Sequence, residues 1–284
     1  MNVILAVIGP GFTGRAIAAA ARSAGMQVRT IGRTGADAAF ATRAADAVIA
    51  AAGALVSTVP PGSSGEPVLA AHGSAIRDSA LRWVGYCSTT GVYGDRAGAW
   101  VDEATPPAPG QPRSIARLAA EEEWRAAVPA TAGLDLIRIA GIYGPGRSQL
   151  DDIRAGTARR VARPGHLFGR VHVADIAALV VAAIGRPPAP GSVRVLHATD
   201  DTPAPSADVV AEAARLLGVA APPEIPFDQA LAAMSPMARS FWAENRRLRN
   251  ALTKAATGWA PQYPSFREGL RAILAEERAQ RRPE

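Results

Sequence analysis

The chain opens on an apolar run, Met1-Asn2-Val-Ile-Leu-Ala-Val-Ile8, that ends in three glycines at fixed spacing, Gly9-Pro-Gly11-Phe12-Thr13-Gly14. Set between that run and the alanine-rich Arg15 to Ala24, the pattern reads as strand, tight turn, helix, the context of a dinucleotide-binding fingerprint. The three glycines serve different ends. Gly9 permits the sharp turn, Gly11 lets a pyrophosphate approach the backbone, and Gly14 lets the helix pack close to the strand. The helix N-terminus then faces the phosphates. Phe12 and Thr13 join the three glycines as candidate cofactor contacts, and Gly25 reads as the left-handed residue that ends the helix. Such a start predicts an α/β chain, a doubly wound parallel sheet of Rossmann type.

Gln27 to Ile31 reads as a second strand, followed by Gly32-Arg33-Thr34. The residue that reads the adenosine ribose lies about 20 residues beyond the glycines, and an acid there selects a free 2'-hydroxyl. This chain has no acid there; Arg33 is a planar cation suited to a 2'-phosphate, which favours NADP over NAD. The alternative is a solvated turn residue. In the alanine-rich stretch that follows, a third strand is expected around Ala47 to Ala50. Leu55 to Val59 reads as a buried strand broken by Pro60-Pro61-Gly62, and its end, with Thr58, is expected beneath the cofactor.

A helix is expected from Glu66 to Arg77, a strand from Arg82 to Cys87, and a helix from Pro112 to about Ala127. Strands at Leu134 to Ala140 and Arg194 to Ala198, and helices from near Asp175, at Ala207 to Leu217 and at Phe266 to Arg278, complete the reading, with a charged tail after Glu276. Residues 1–165 are expected to form the dinucleotide-binding domain, rejoined by the strand near 193–198. Residues 166–284 mainly form a smaller substrate-binding part, its pocket shaped by loops around Ser63, Tyr143 and Pro236.

Charge raises one competing class. The net charge is +6, yet the basic residues are scattered, apart from Arg159-Arg160-Arg163 and Arg246-Arg247-Arg249, and no nucleic-acid-binding motif accompanies them. Solvated helix faces explain them, so no nucleic-acid partner is expected. No apolar stretch approaches the ~20 residues of a membrane span, and the opening run lacks a charged leader, so a cytoplasmic protein is expected. Cys87 is the single cysteine, which precludes an internal disulfide and reads as an inert buried thiol. His72, His166 and His197 show no metal-ligand spacing, and no metal is expected. His172 reads as a hydrogen-bonded core residue, and Asp175 as the cap of the helix it opens.

Several motifs occur in order: the glycine loop, Ser88-Thr89-Thr90-Gly91-Val92-Tyr93-Gly94, Asp102-Glu103-x-x-Pro106, Arg138-x-x-Gly141-x-Tyr143-Gly144-Pro145-Gly146, and Val171-His172-x-x-Asp175-Ile176-Ala177. In this order the chain resembles the extended short-chain dehydrogenases/reductases, the group that includes NAD-dependent sugar epimerases and dehydratases. The segment from Ser235 to Arg247 resembles one found in atypical members. The resemblance implies a catalytic hydroxyl at Thr89, with Ser88 beside the cofactor, and a Tyr-x-x-x-Lys pair on the following helix. Counting back from Glu121, those two positions fall on Arg113 and Arg117. The dyad is absent, since the one lysine is Lys254 and no tyrosine lies between Tyr93 and Tyr143.

Arg113, Arg117 and Glu121 are spaced to share one helix face. The resemblance turns that face to the cofactor, where Arg117 would bind the ribose hydroxyls and supply fixed positive charge. Arginine, with a pKa above ~12, is a poor proton donor. Tyr143 is the first candidate for that role and Tyr93 the second, with simple packing as the alternative for both. The leading function is therefore an NADP-linked oxidoreductase, or an epimerase/dehydratase-like enzyme, transferring hydride with a small oxygenated, sugar-like substrate. The alternatives are a non-catalytic NAD(P)-binding redox sensor and a reductase of a preprotonated imine, which needs no tyrosine acid. The resemblance also makes a homodimer plausible.

Overall fold

The strand Ile4–Ile8 sends Leu5 and Val7 into one buried cluster and Ala6 and Ile8 into another. A strand buried on both faces belongs inside a covered parallel sheet. The computed structural model, which describes residues 3–280, places it there. Across the sheet the order is Val193–Ala198, Gly133–Ile139, Trp83–Thr89, Ala54–Ser57, Ile4–Ile8, Gln27–Gly32 and Ala38–Ala39. Every neighbouring pair is parallel. From Ile4–Ile8 the chain builds first to one side, through Gln27–Gly32, and then to the other, through Ala54–Ser57. That reversal opens a crevice at the carboxyl ends of these strands, the switch point where open α/β sheets bind ligands.

Helices cover both faces. On one, Ile17, Ala18 and Ala21 of Phe12–Ser23 and Ile176, Leu179, Val180 and Ala183 of Val173–Gly185 pack over Leu5, Val7 and Val56. On the other, Ala45 and Ile49 of Arg43–Ala51, Val68 and Ile76 of Pro67–Arg77, and Ala120 and Trp124 of Pro112–Ala127 pack over Ile8, Leu55 and Val84. A smaller cluster, built on Leu150, Val209, Phe266, Leu270 and Ile273, joins the helices Gln149–Arg154, Ser206–Leu217 and Phe266–Gln280. Short parallel pairs tie later segments to earlier loops: Gly141–Tyr143 with Arg170–His172, and Trp100–Val101 with Arg247–Leu248.

Four expectations need correction. Ala47 to Ala50 lies in the helix Arg43–Ala51, because alanine is the strongest helix former, and the third strand is only Ala38–Ala39. Asp175 does not cap its helix. His172 does, its Nδ1 accepting from the Ala174 amide at 3.2 Å, while the buried Asp175 accepts from the Gln262 and Tyr263 amides at 2.7 and 3.2 Å. The arginine clusters are not solvated helix faces: Arg160 pairs with Glu224 at 3.1 Å, Arg163 donates to the Trp242 carbonyl, and Arg247 and Arg249 lie over Trp100. The final helix continues through Gln280, past the expected start of the charged tail. Met1, Asn2 and residues 281–284 of that tail lie outside the described residues. Among the described residues no helix is long and apolar enough to cross a membrane.

Candidate functional site

The glycine turn sits at the crevice. Gly9 adopts φ +89°, and the Thr58 hydroxyl, arriving from the strand Ala54–Ser57, donates to the Gly9 carbonyl at 2.5 Å. A Cβ on Gly14 would stand 2.3 Å from that same carbonyl oxygen, so only glycine lets the helix Phe12–Ser23 start so close to the strand. A Cβ on Gly11 would meet no protein atom within 4 Å. The loop therefore holds open the space beside its own backbone, at a helix N-terminus that favours an anion.

From this turn a groove of about 1150 Å³ runs along the carboxyl edge of the sheet. Gly9, Gly11, Phe12, Thr13, Arg33, Thr58, Ser88, Thr89, Arg113 and Arg117 all line it, so most of the expected site is brought together. Gly14 does not line it and acts beneath it. Sequence reasoning missed Arg15, Phe40 and Arg147, which also line the groove. The wall thus carries five arginines, Arg15, Arg33, Arg113, Arg117 and Arg147, and among the described residues no carboxylate lines it. An arrangement of that kind suits a polyanion.

Arg117 is held in place, its Nη1 donating to the Cys87 carbonyl at 2.8 Å and the Tyr86 hydroxyl at 3.2 Å. Burial pushes the Cys87 thiol up to about 12, so it offers no thiolate to the groove. One turn further, Glu121 is buried and leaves the groove altogether. It takes two hydrogen bonds from Arg138, at 3.1 and 2.7 Å, and one from the Ser88 hydroxyl at 2.5 Å. Ser88 therefore reaches the groove without a free hydroxyl proton. Thr89 differs, because its oxygen accepts from the Gly91 amide at 3.1 Å and its own proton remains available.

Neither tyrosine lines the groove. The Tyr143 ring is buried in the cluster of Leu150, Phe266 and Leu270. A Cβ on Gly269 would lie 2.0 Å from its hydroxyl oxygen, so the ring occupies the notch that glycine leaves. Its hydroxyl has no partner, and burial raises its pKa far above the usual phenol range. Tyr93 is fully buried, hydrogen-bonded to His197 Nε2 and accepting from Arg138 Nη1 at 2.9 Å. Because His197 Nδ1 faces the Arg249 carbonyl at 2.7 Å, that nitrogen carries the proton and Nε2 accepts from Tyr93. Burial pushes the Tyr93 hydroxyl up to about 12. Tyr143→Phe is expected to leave cofactor binding and turnover unchanged and to be neutral or slightly stabilising, since it removes an unpartnered buried hydroxyl. A thermal melt with a cofactor titration checks this, and a loss of turnover would restore Tyr143 to the site.

A second chamber of about 270 Å³ opens off the groove. Thr89, Arg113, Ile139, Ala140, Gly141 and Phe241 line both, so these residues form the junction. Phe168, Phe241 and Trp242 supply aromatic walls, and Glu244, Arg113, Arg170 and Arg246 the charged groups. Arg113 lies over the Phe241 ring, 3.9 Å from its centroid. Besides Thr89, Arg113 and Gly141, the sequence marks only the stretch from Ser235 to Arg247 among these residues.

No family model matches the chain. A Streptomyces protein named 3-diazoavenalumate denitrifying reductase is 32% identical over 177 residues, 58% of this chain and 54% of that protein, so the match spans about half its length. Human epimerase family protein SDR39U1, solved with NADPH, superposes with a TM-score of 0.78 over 96% of this chain and 99% of its own, at 18% identity. That likeness shows the fold. A functionally unknown conserved protein from Silicibacter pomeroyi is 39% identical, with a TM-score of 0.84, over 97% of this chain and 99% of its own. The chain belongs to that protein's family, and it has the fold of the short-chain dehydrogenases/reductases. In this fold the helix Pro112–Ala127 sets Arg113 at the junction and Arg117 on the groove wall. Burial lowers the Arg113 pKa, and the Glu244 carboxylate opposes that shift.

Proposed function

We propose that the protein is an NADP-preferring oxidoreductase that works as a reductase on an acceptor needing no proton from a tyrosine. The observation that carries this is the groove itself: five arginines, no lining carboxylate among the described residues, and open space beside Gly11. Those features fit a dinucleotide, and the exposed Arg33 just past the second strand fits one bearing a 2'-phosphate. When bound, the reduced nicotinamide supplies the hydride. Gly9 and Gly11 receive the pyrophosphate, and Arg117 holds fixed positive charge on the groove wall.

Thr89, whose hydroxyl proton is free, hydrogen-bonds the substrate and so orients it at the junction. Arg113, fixed at the same junction, helps to orient the substrate and releases no proton. Since Tyr93 and Tyr143 are committed to the core, an acceptor that already carries positive charge, such as a protonated imine, suits the site better than a ketone. The name of the Streptomyces relative supports a reductase and a nitrogen-bearing acceptor over a sugar hydroxyl.

Calorimetry with NADPH and NADH, followed by NADPH absorbance across aldehydes, ketones, imines and nucleotide sugars, tests the reading. Tighter NADPH binding and consumption with imines are expected. Uptake of NADPH with no turnover of any of them would favour a redox sensor instead. Arg33→Asp is expected to weaken NADPH by about tenfold to a hundredfold, the loss of a charged hydrogen bond, while NADH changes little. An unaltered preference would remove Arg33 from the 2'-phosphate.

A further inference from the structure

The chamber beside Thr89 holds one group that the hydride-transfer reading does not use. The Glu244 side chain is 8% exposed, and its Oε2 pairs with Arg246 Nη1 at 2.7 Å. Arg246 Nη1 also donates to the Gly94 carbonyl at 2.8 Å, which fixes it on that side. Glu244 Oε1 is buried and has no hydrogen-bond partner. A buried carboxylate oxygen left unpaired is rare in native proteins, and in a pocket wall it marks the place of a ligand donor. Around it stand Phe168 and Trp242, their ring centroids 4.9 Å apart, and Phe241 with Arg113 over its face. Walls of this kind receive a flat ring, and about 270 Å³ leaves room for one ring with its substituents.

We propose that Glu244 determines substrate specificity: its carboxylate accepts a hydrogen bond from a hydroxyl or amino group on a flat, aryl-type substrate whose opposite, electron-rich end meets Arg113. The proposal rests on the hydride-transfer reading only in taking the chamber as the place of the substrate. A substrate with a donor at one end and an acceptor at the other satisfies both charges, and a purely apolar ring leaves Glu244 Oε1 unpaired. Discrimination by an unpaired buried polar group is strong, because the wrong ligand cannot restore the lost hydrogen bond.

Calorimetry with 3- and 4-hydroxybenzoate and their methoxy counterparts, with and without NADP, tests this. In the methoxy compounds a methyl replaces the donor proton. One hydroxy compound should bind wild type about tenfold tighter than its methoxy partner, the worth of a hydrogen bond to a charged group. Glu244→Leu should erase that preference. If Glu244→Leu fails to fold, as judged by its melt, Glu244→Gln decides: it keeps an acceptor but loses the charge, and the preference should fall by about threefold. Equal affinities in wild type, a preference that survives in Glu244→Leu or stays undiminished in Glu244→Gln, or no binding of either probe at millimolar concentration overturns the proposal. NADP titration of the same samples separates the two readings. Normal NADP uptake with no hydroxyl preference sinks the role of Glu244 alone, whereas a preference without NADP uptake sinks the hydride-transfer reading and leaves Glu244 as the selective residue.

Discussion

Gly11→Val is expected to leave the protein folded and to weaken NADPH binding by at least about a hundredfold, the scale of losing several charged hydrogen bonds at once. Two observations separate binding from folding at this position. Gly11 has φ −78° and ψ −156°, extended backbone open to any residue, and a Cβ there meets nothing within 4 Å. Valine therefore strains no backbone and displaces no side chain, and a melting temperature close to wild type follows. Its methyl groups do fill the space that a pyrophosphate needs to reach the loop amides. Gly14→Val is the contrast, because its Cβ would overlap the Gly9 carbonyl at 2.3 Å and damage the turn itself. Calorimetry with NADPH beside a thermal melt checks both, and unchanged affinity in Gly11→Val would show that the loop does not hold the phosphates.

Local signals were legible wherever one stretch of chain carries its own reason for a conformation. Gly9, Gly11 and Gly14 state the turn, Pro112 states a helix start, and the apolar runs state strands buried on both faces. The stretch from Gly35 to Ala54 carries no such contrast, so a helix stood where a strand was expected. Which way a side chain faces was less legible. Gly141 and Ile142 line the groove, and Tyr143, next along the same short strand, turns into the cluster around Phe266. That choice depends on the notch at Gly269, far along the chain, and a loop motif read by itself does not show it. Glu244 was hidden for a similar reason: the stretch from Ser235 to Arg247 stood out, but only folding sets one of its carboxylate oxygens into a pocket wall.

The same limit hid a buried polar network, on which the second large effect rests. Arg138→Leu is expected to destabilise the fold by about 3–5 kcal/mol, because it strands the Glu121 carboxylate in the core. Glu121 is 0% exposed and Arg138 3%, and the guanidinium gives Glu121 two hydrogen bonds and Tyr93 a third. Removing it leaves Glu121 with Ser88 alone and takes from the Tyr93 hydroxyl the donor it accepts from. In a chain of this size such a loss lowers the melting temperature by roughly 10 °C. The double variant Glu121→Leu/Arg138→Leu should cost less than Arg138→Leu alone, since no buried charge then lacks a counter-charge. Thermal melts of both single variants and the double measure the coupling. Full additivity would mean that the two side chains act independently, and the shared network linking Ser88, Glu121, Arg138, Tyr93 and His197 beneath the groove would have to be abandoned.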